Sequence, residues 1–287
     1  PTRCPDGSCW FHDVQNQKGD TGVNKELGSS DDLHVETEGH VRVLTLNRPE
    51  RRNALSAALM HRLTDAFRAV RDDRGIWAVV LTGAGDKAFC AGGDLKERRG
   101  MTNAAWAAQH LVFERAARAL LGCPLPVIGA INGAAYGGGC EMAAACDFLY
   151  ADPVARFALS EVSLGIIPGM GGTQTLARAL GAARAKELIL SARPFGAAEA
   201  LAWGLVNHVT ASGAVLTEAL ATAERISTNA PIAVRQAKRA IEAGRDMALP
   251  LGLQFEIESY NRTIPTEDRR EGVLAFNEKR PARFTGH

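Results

Sequence analysis

Apolar and polar positions first fall into a regular order at residues 40–46, where alternating, largely β-branched residues run into Asn47, Arg48 and Pro49, the signature of a strand entering a turn. Ser56 then stands as the cap of a segment whose apolar residues Leu59, Met60, Leu63, Phe67 and Val70 share one helical face. Residues 76–82 read as a buried strand stopped by Gly83, Ala84 and Gly85, residues 103–121 as a helix, and residues 126–131 as a further strand. Strands alternating with helices imply parallel βαβ units with functional loops at the strand ends. From Thr173 onward the pattern is nearly all helical. Gly172, Gly181, Gly196 and Gly204 punctuate it, and Pro231 suits the first turn of a helix.

No repeat of fixed period and no low-complexity linker divides the chain after residue 34. The organisation expected is an α/β core over residues 34–225 and a helical region over 226–287. Residues 1–33 lack the apolar block of a secretory signal, carry several acids and read as a flexible extension. With 33 Lys+Arg against 32 Asp+Glu, the chain has no global field that would gather nucleic acid or an anionic membrane. The longest apolar candidate, residues 124–151, is interrupted by Glu141, Asp147 and many glycines, so no membrane span is expected. Of six cysteines, Cys90, Cys123, Cys140 and Cys146 sit in apolar or glycine-rich stretches, which suits buried thiols in a reducing, cytoplasmic compartment. Cys4 and Cys9 lack the second Cys or His pair of a zinc site and read as free thiols.

Candidate chemistry concentrates in three stretches. In residues 131–141 a strand leads through Gly133, Gly137, Gly138 and Gly139 into the start of a helix carrying Glu141. Glycines admit close backbone approach, and the free amides at a helix N-terminus favour negative charge. A second glycine turn, Ala91, Gly92, Gly93 and Asp94, also follows a strand, and two converging amides would form an oxyanion hole for a carbonyl that gains charge. Each turn taken alone is equally well a structural tight turn. Glu161 lies in an apolar stretch where desolvation would raise its pKa toward values useful for proton transfer.

Competing motifs fare less well. Residues 83–88 fit a relaxed G-x-G-x-x-A dinucleotide fingerprint, yet a glycine loop continues where that motif requires a helix. No G-x-S-x-G, P-loop or HExxH is present, and His61, His110 and His208 are isolated, as expected of surface or packing residues.

Four ordered motifs together resemble the crotonase superfamily: Asn47-Arg48-Pro49 with Asn53-Ala54-Leu55, residues 89–95, residues 137–141, and residues 165–174. The resemblance implies a spiral of ββα units with a helical C-terminal region that packs in a trimer or a hexamer of two trimers. It assigns the oxyanion hole to the amides of Gly93 and Gly138, and the acid/base pair of hydratases to Glu141 and Glu161. It implies hydration of a 2-enoyl-CoA thioester, with coenzyme A as part of the substrate and neither a separate cofactor nor a metal. Contacts to the thioester are implied for Arg52, Ala54, Leu55, Ala91, Gly93, Asp94, Leu95, Gly138, Pro168, Gly169 and Lys279. Residues 263–281 and 94–98 particularly resemble methylglutaconyl-CoA hydratases, a subgroup with an RNA-binding member, although both stretches are expected to lie outside the acyl pocket. Enoyl-CoA isomerisation and RNA binding on the same scaffold are the alternatives, the latter disfavoured by the near-neutral charge.

Overall fold

The computed structural model describes residues 32–287, so the expectations for Cys4, Cys9 and nearly all of the N-terminal extension lie outside the described residues. Leu33, the last residue of the expected extension, is instead buried and opens β1 (Leu33–Glu38), which pairs antiparallel with β2 (Val41–Leu46). This edge strand escapes the hydrophobic pattern because its second half, Thr37 included, faces solvent.

Beyond a 3-10 turn at Pro49–Arg51 comes α1 (Ala57–Asp72), capped by the Ser56 hydroxyl, which accepts from the Leu59 amide at 3.1 Å. The chain then repeats a three-part unit. β3 (Ala78–Gly83), β4 (Ala88–Cys90) and α2 (Asn103–Leu121) form the first. β5 (Val127–Ile131), β6 (Ala134–Tyr136) and α3 (Gly138–Ala145) form the second. β7 (Phe148–Ala151), β8 (Arg156–Ala158) and α4 (Gly172–Leu180) form the third, with a 3-10 turn at Glu161–Leu164 before the helix. There follow α5 (Ala182–Ser191), β9 (Phe195–Gly196), α6 (Ala197–Trp203), β10 (His208–Val209), α7 (Val215–Ser227), α8 (Pro231–Gly244), α9 (Leu249–Asn261) and α10 (Glu267–Glu278).

Two sheets result, one in the order β1-β2-β3-β5-β7-β10 and the other in the order β4-β6-β8-β9. Each unit leaves one strand in each sheet before its helix, which makes the structure a spiral of ββα units of the crotonase kind. The simple βαβ alternation expected from hydrophobic period is therefore incomplete. β4, β6 and β8 have three residues each, too few to display an alternation.

Every residue of β3 and β5 is buried, as befits parallel strands covered on both faces. On one face Val41, Val43, Ala78, Val80, Ile128 and Ala130 pack against Val215, Ala219 and Ala223 of α7. The opposite face contributes Leu44, Leu46, Val79 and Leu81 to a larger core shared with α1 and with Phe89, Phe157 and Phe195 of the second sheet. α8 and α9 pack as a pair, while Leu249, Leu253, Ile257, Val273, Leu274 and Phe276 remain exposed on α9 and α10.

The loop before α1 is pinned from inside. Arg52 and Asn53 both take left-handed backbone angles, and the fully buried Asn53 side chain binds three backbone groups. Its Oδ1 accepts from Arg48 N at 2.9 Å, and its Nδ2 donates to Ala84 O at 2.9 Å and Ala88 O at 2.8 Å. Asn53 thus ties this loop to the turn between β3 and β4. Replacing Asn53 with Ala leaves those buried groups without partners, and we expect a loss of about 3 kcal/mol. Urea denaturation checks this as a lower midpoint at unchanged m-value; a variant as stable as the wild type would contradict it.

Candidate active site

Two turns meet where β4 and β6 end. Gly92 has φ +91°, and a methyl group on it would lie 2.7 Å from Tyr136 O and 3.4 Å from Gly138 N. A methyl on Gly139 would run into Cys90 O. The turns therefore touch backbone to backbone, an approach that glycine alone permits. Around this contact the amides of Leu55, Asp94 and Gly137 are all taken, by Gly92 O, Leu55 O and Ala158 O. The amides of Gly93 and Gly138, the pair singled out in the sequence, donate to no acceptor among the described residues. Gly138 is the first residue of α3, so its N–H belongs to the free, electropositive end of a helix.

Glu141 sits in the first turn of α3 and is buried. Its Oε1 accepts from Met170 N and Gly172 N, both at 2.8 Å, and the residue lines a cavity. Burial raises the Glu141 carboxyl above the usual range, and the surrounding backbone amides oppose that shift. A methyl on Gly172 would lie 2.8 Å from Glu141 Cγ, so the loop before α4 closes tightly on the carboxylate.

Glu161 opens the 3-10 turn after β8 and is also buried, but both of its oxygens lack a hydrogen-bond partner. A methyl on Gly137 would lie 3.4 Å from its Oε1, which puts this carboxyl beside the second glycine turn. Burial pushes its pKa up to about 7, and the nearby Glu141 adds to the rise. Cys90 and Cys140 adjoin the same turns, but burial raises both thiols far above their usual range, to about 12 for Cys90. Neither is suited to act as a nucleophile.

Gly93, Gly138, Glu141 and Glu161 line one cavity of about 860 Å³. Among the residues assigned to thioester binding, Ala91, Leu95, Pro168 and Gly169 line it as well. Arg52, Ala54, Leu55, Asp94 and Lys279 do not. Leu55 supports the site from behind, its Cδ1 3.0 Å from where a methyl on Gly138 would be. Asp94 is consumed by the protein: Arg48 Nη2 donates to it at 3.1 Å and Lys96 N at 3.1 Å. Burial raises its carboxyl, but these bonds outweigh burial and hold it below the ordinary value. Lys279 is an exposed residue with a left-handed backbone at the end of α10.

The structure also brings in residues outside the four motifs, from the stretch between Met101 and Phe113 on which the shape of the acyl pocket was expected to depend, and one more from the loop after Gly93. Trp106, His110 and Phe113 lie on the cavity side of α2, and Arg98 reaches the wall from the loop after Gly93. Of residues 94–98, Leu95 and Arg98 line the cavity. His110 is packed, as anticipated for an isolated histidine, but its partner is Gly169 of the cavity wall, where a methyl would collide with its ring. The helical spacing of 106, 110 and 113 was visible in the sequence, but the site it faces was not. Among the described residues no group of three or more His, Cys, Asp or Glu is arranged to hold a metal ion, and no helix is long and apolar enough to cross a membrane.

Free amides from two glycine turns, with two buried carboxyls facing the same cavity on a ββα spiral, define an enzyme of the crotonase class. Residues 36–287 match the family described as enoyl-CoA hydratase/isomerase, and the chain belongs to that family. It is 41% identical to the short-chain-enoyl-CoA hydratase of Clostridium acetobutylicum, over 86% of this chain and 94% of that protein. It is 40% identical to the human mitochondrial methylglutaconyl-CoA hydratase, over 92% of this chain and 80% of that protein. The crystal structure of an enoyl-CoA hydratase from Bacillus anthracis superposes with a TM-score of 0.87 at 43% identity, covering 89% of this chain and all of that one.

The unpartnered Glu161 carboxyl has a consequence for stability. Its folded-state pKa of about 7 exceeds the ordinary value of 4.5, so the folded protein holds this proton more tightly than the unfolded chain does. Its contribution is fully present below pH 4.5 and is lost as pH rises through about 7. Glu161→Gln keeps the shape without the charge, and we expect it to melt a few degrees above the wild type at pH 8 with the gap closing by pH 4.5. Thermal melts at both pH values test this, and a gap independent of pH would refute it.

Proposed function

We propose that the chain catalyses the reversible syn hydration of trans-2-enoyl-CoA thioesters to 3-hydroxyacyl-CoA. One observation carries the reading: two buried carboxyls in different states of compensation face one cavity beside two unused backbone donors. The amides of Gly93 and Gly138 take the thioester oxygen and stabilise the enolate character that develops when a nucleophile adds at Cβ. Glu141, with Oε1 held by two amides, accepts a proton from the attacking water through Oε2. Glu161, its pKa raised to about 7, is protonated in a substantial fraction of molecules near neutrality and gives its proton to Cα. Water oxygen bonds to Cβ, a proton bonds to Cα, and proton exchange with solvent resets the pair.

Coenzyme A enters as the handle of the substrate, and the reaction draws on no further cofactor. Ala91, Leu95, Pro168 and Gly169 line its thioester end in this reading, while Arg52, Ala54 and Lys279 would meet the outer part of the handle. The apolar side chains left exposed on α9 and α10 support self-association as a trimer or a pair of trimers. Cys90, Cys123 and Cys140, buried as free thiols, support a reducing, cytoplasmic setting. The activity suits the breakdown of fatty or branched acyl-CoA, as in β-oxidation.

Glu141→Gln and Glu161→Gln should each lower kcat for crotonyl-CoA hydration by roughly 10²- to 10⁴-fold, the usual worth of a positioned acid or base. Rates within a few-fold of the wild type in both variants would remove the mechanism. Oxygen-18 from labelled water should appear at C3 of the product. Conversion of a 3-enoyl-CoA without such uptake would instead make the enzyme an isomerase.

A further inference from the structure

One wall of the cavity carries a cation whose outer face is unused. Arg98 is half-buried, and its Nε donates to Gln109 Oε1 at 2.9 Å. Its guanidinium carbon lies 4.6 Å from the Trp106 ring centroid and 4.8 Å from that of Phe113. The same carbon is 3.4 Å from where a methyl on Gly93 would be, so the group stands beside the oxyanion turn. The terminal nitrogens donate to no acceptor among the described residues. Neither nearby acid hydrogen-bonds the guanidinium, although the Glu97 charge acts on it through space. Glu97 binds the Ala57 amide at 3.2 Å, and Glu114, on the same wall, pairs with Arg118 at 3.1 Å.

The arrangement is a built one. Gln109 is itself buried and fixes the guanidinium through one nitrogen, while two aromatic rings lie within cation–π distance of it. A planar guanidinium held at Nε offers its remaining N–H groups in the geometry that suits a carboxylate. A plain hydrocarbon tail would leave this partly desolvated cation facing methylene groups, an arrangement that costs free energy for want of a partner. Resting on the hydratase reading above, we propose that Arg98 is a specificity residue and that the preferred acyl group carries a carboxylate a few atoms beyond the double bond. Gln109 is the positioning residue that aims it.

Two thioesters of equal chain length test this: glutaconyl-CoA, with a terminal carboxylate, and 2-pentenoyl-CoA, without one. The wild type should hydrate glutaconyl-CoA with the higher kcat/KM. In Arg98→Met the glutaconyl-to-pentenoyl ratio of kcat/KM should fall roughly 10- to 100-fold, the usual cost of leaving a charged group of the substrate unpaired in a site. Arg98→Lys, which keeps the charge and loses the fork, should restore part of it. A ratio unchanged in Arg98→Met overturns the proposal, whether both rates fall together or neither moves. The anion could instead be a phosphate of the coenzyme A handle. In that case the effect of Arg98→Met would vanish with the corresponding pantetheine thioesters, and the proposal would fail. Hydration of 2-pentenoyl-CoA by the wild type keeps the two readings apart. If it proceeds and the ratio does not respond, Arg98 alone is misassigned; if neither thioester is hydrated, the hydratase reading fails as well.

Discussion

The site depends on one contact between two stretches of bare backbone. The turn at Gly92 lies against Tyr136 O and Gly138 N, and Gly139 lies against Cys90 O, with no room for a β-carbon at either place. Because nothing separates the turns, Gly93 and Gly138, with their free N–H groups, line the same cavity. A side chain at Gly92 would be doubly opposed, by the Tyr136 carbonyl and by its left-handed φ of +91°. The surroundings hold the contact from both sides. Asn53 bonds the strand end at Ala88, Arg48 grips Asp94, and Leu55 exchanges backbone hydrogen bonds with the turn itself. Donors fixed this way need little reorganisation when charge appears on a bound oxygen, which is the condition under which backbone amides stabilise it most.

The same protein environment then treats two glutamates differently. Both are buried, so both carboxyls are raised, but Glu141 is compensated by amides from the loop before α4, whereas the Glu161 oxygens have no hydrogen-bond partner. Proximity between them adds to the rise at Glu161. The rise is thereby opposed at Glu141 by several amides and left largely unopposed at Glu161. Separation of this kind assigns base and acid to two chemically identical side chains. In the proposed mechanism it also makes the loop over residues 169–172 part of the catalytic apparatus, because it supplies the amides that hold Glu141 in place.

Much of this was legible in the chain because the relevant features are local. β2, β3, β5, α1 and α2 have enough residues to show their period, and the two glycine turns and two glutamates are conspicuous as residue types. What escaped is of two kinds. β1 and the three-residue strands β4, β6 and β8 are too exposed or too short to carry a pattern, so the second sheet was invisible without the family resemblance. Direction was the other casualty. Lys96, Glu97, Arg98 and Arg99 look like one solvated charge run, and nothing local says that Arg98 alone turns inward to Gln109. Asp94, in contrast, sits within the thioester motif yet spends its carboxylate on Arg48 and on the turn. A binding motif in sequence therefore mixes residues that touch the cavity with residues that only shape the backbone around it.

That mixture separates chemistry from selection in space. The free donors are main-chain atoms fixed by glycine contacts, whereas side chains of Arg98, Trp106, His110 and Phe113 line the same cavity. The separation is not complete, since His110 rests where a β-carbon of Gly169 would be, one residue before the amide of Met170 that holds Glu141. A bulkier group at position 110 would press on that loop and reach the base through it. Each position on this face of α2 is thus constrained by a different neighbour: 106 and 113 by the Arg98 guanidinium, 113 also by its burial in the core, and 110 by the loop that binds Glu141.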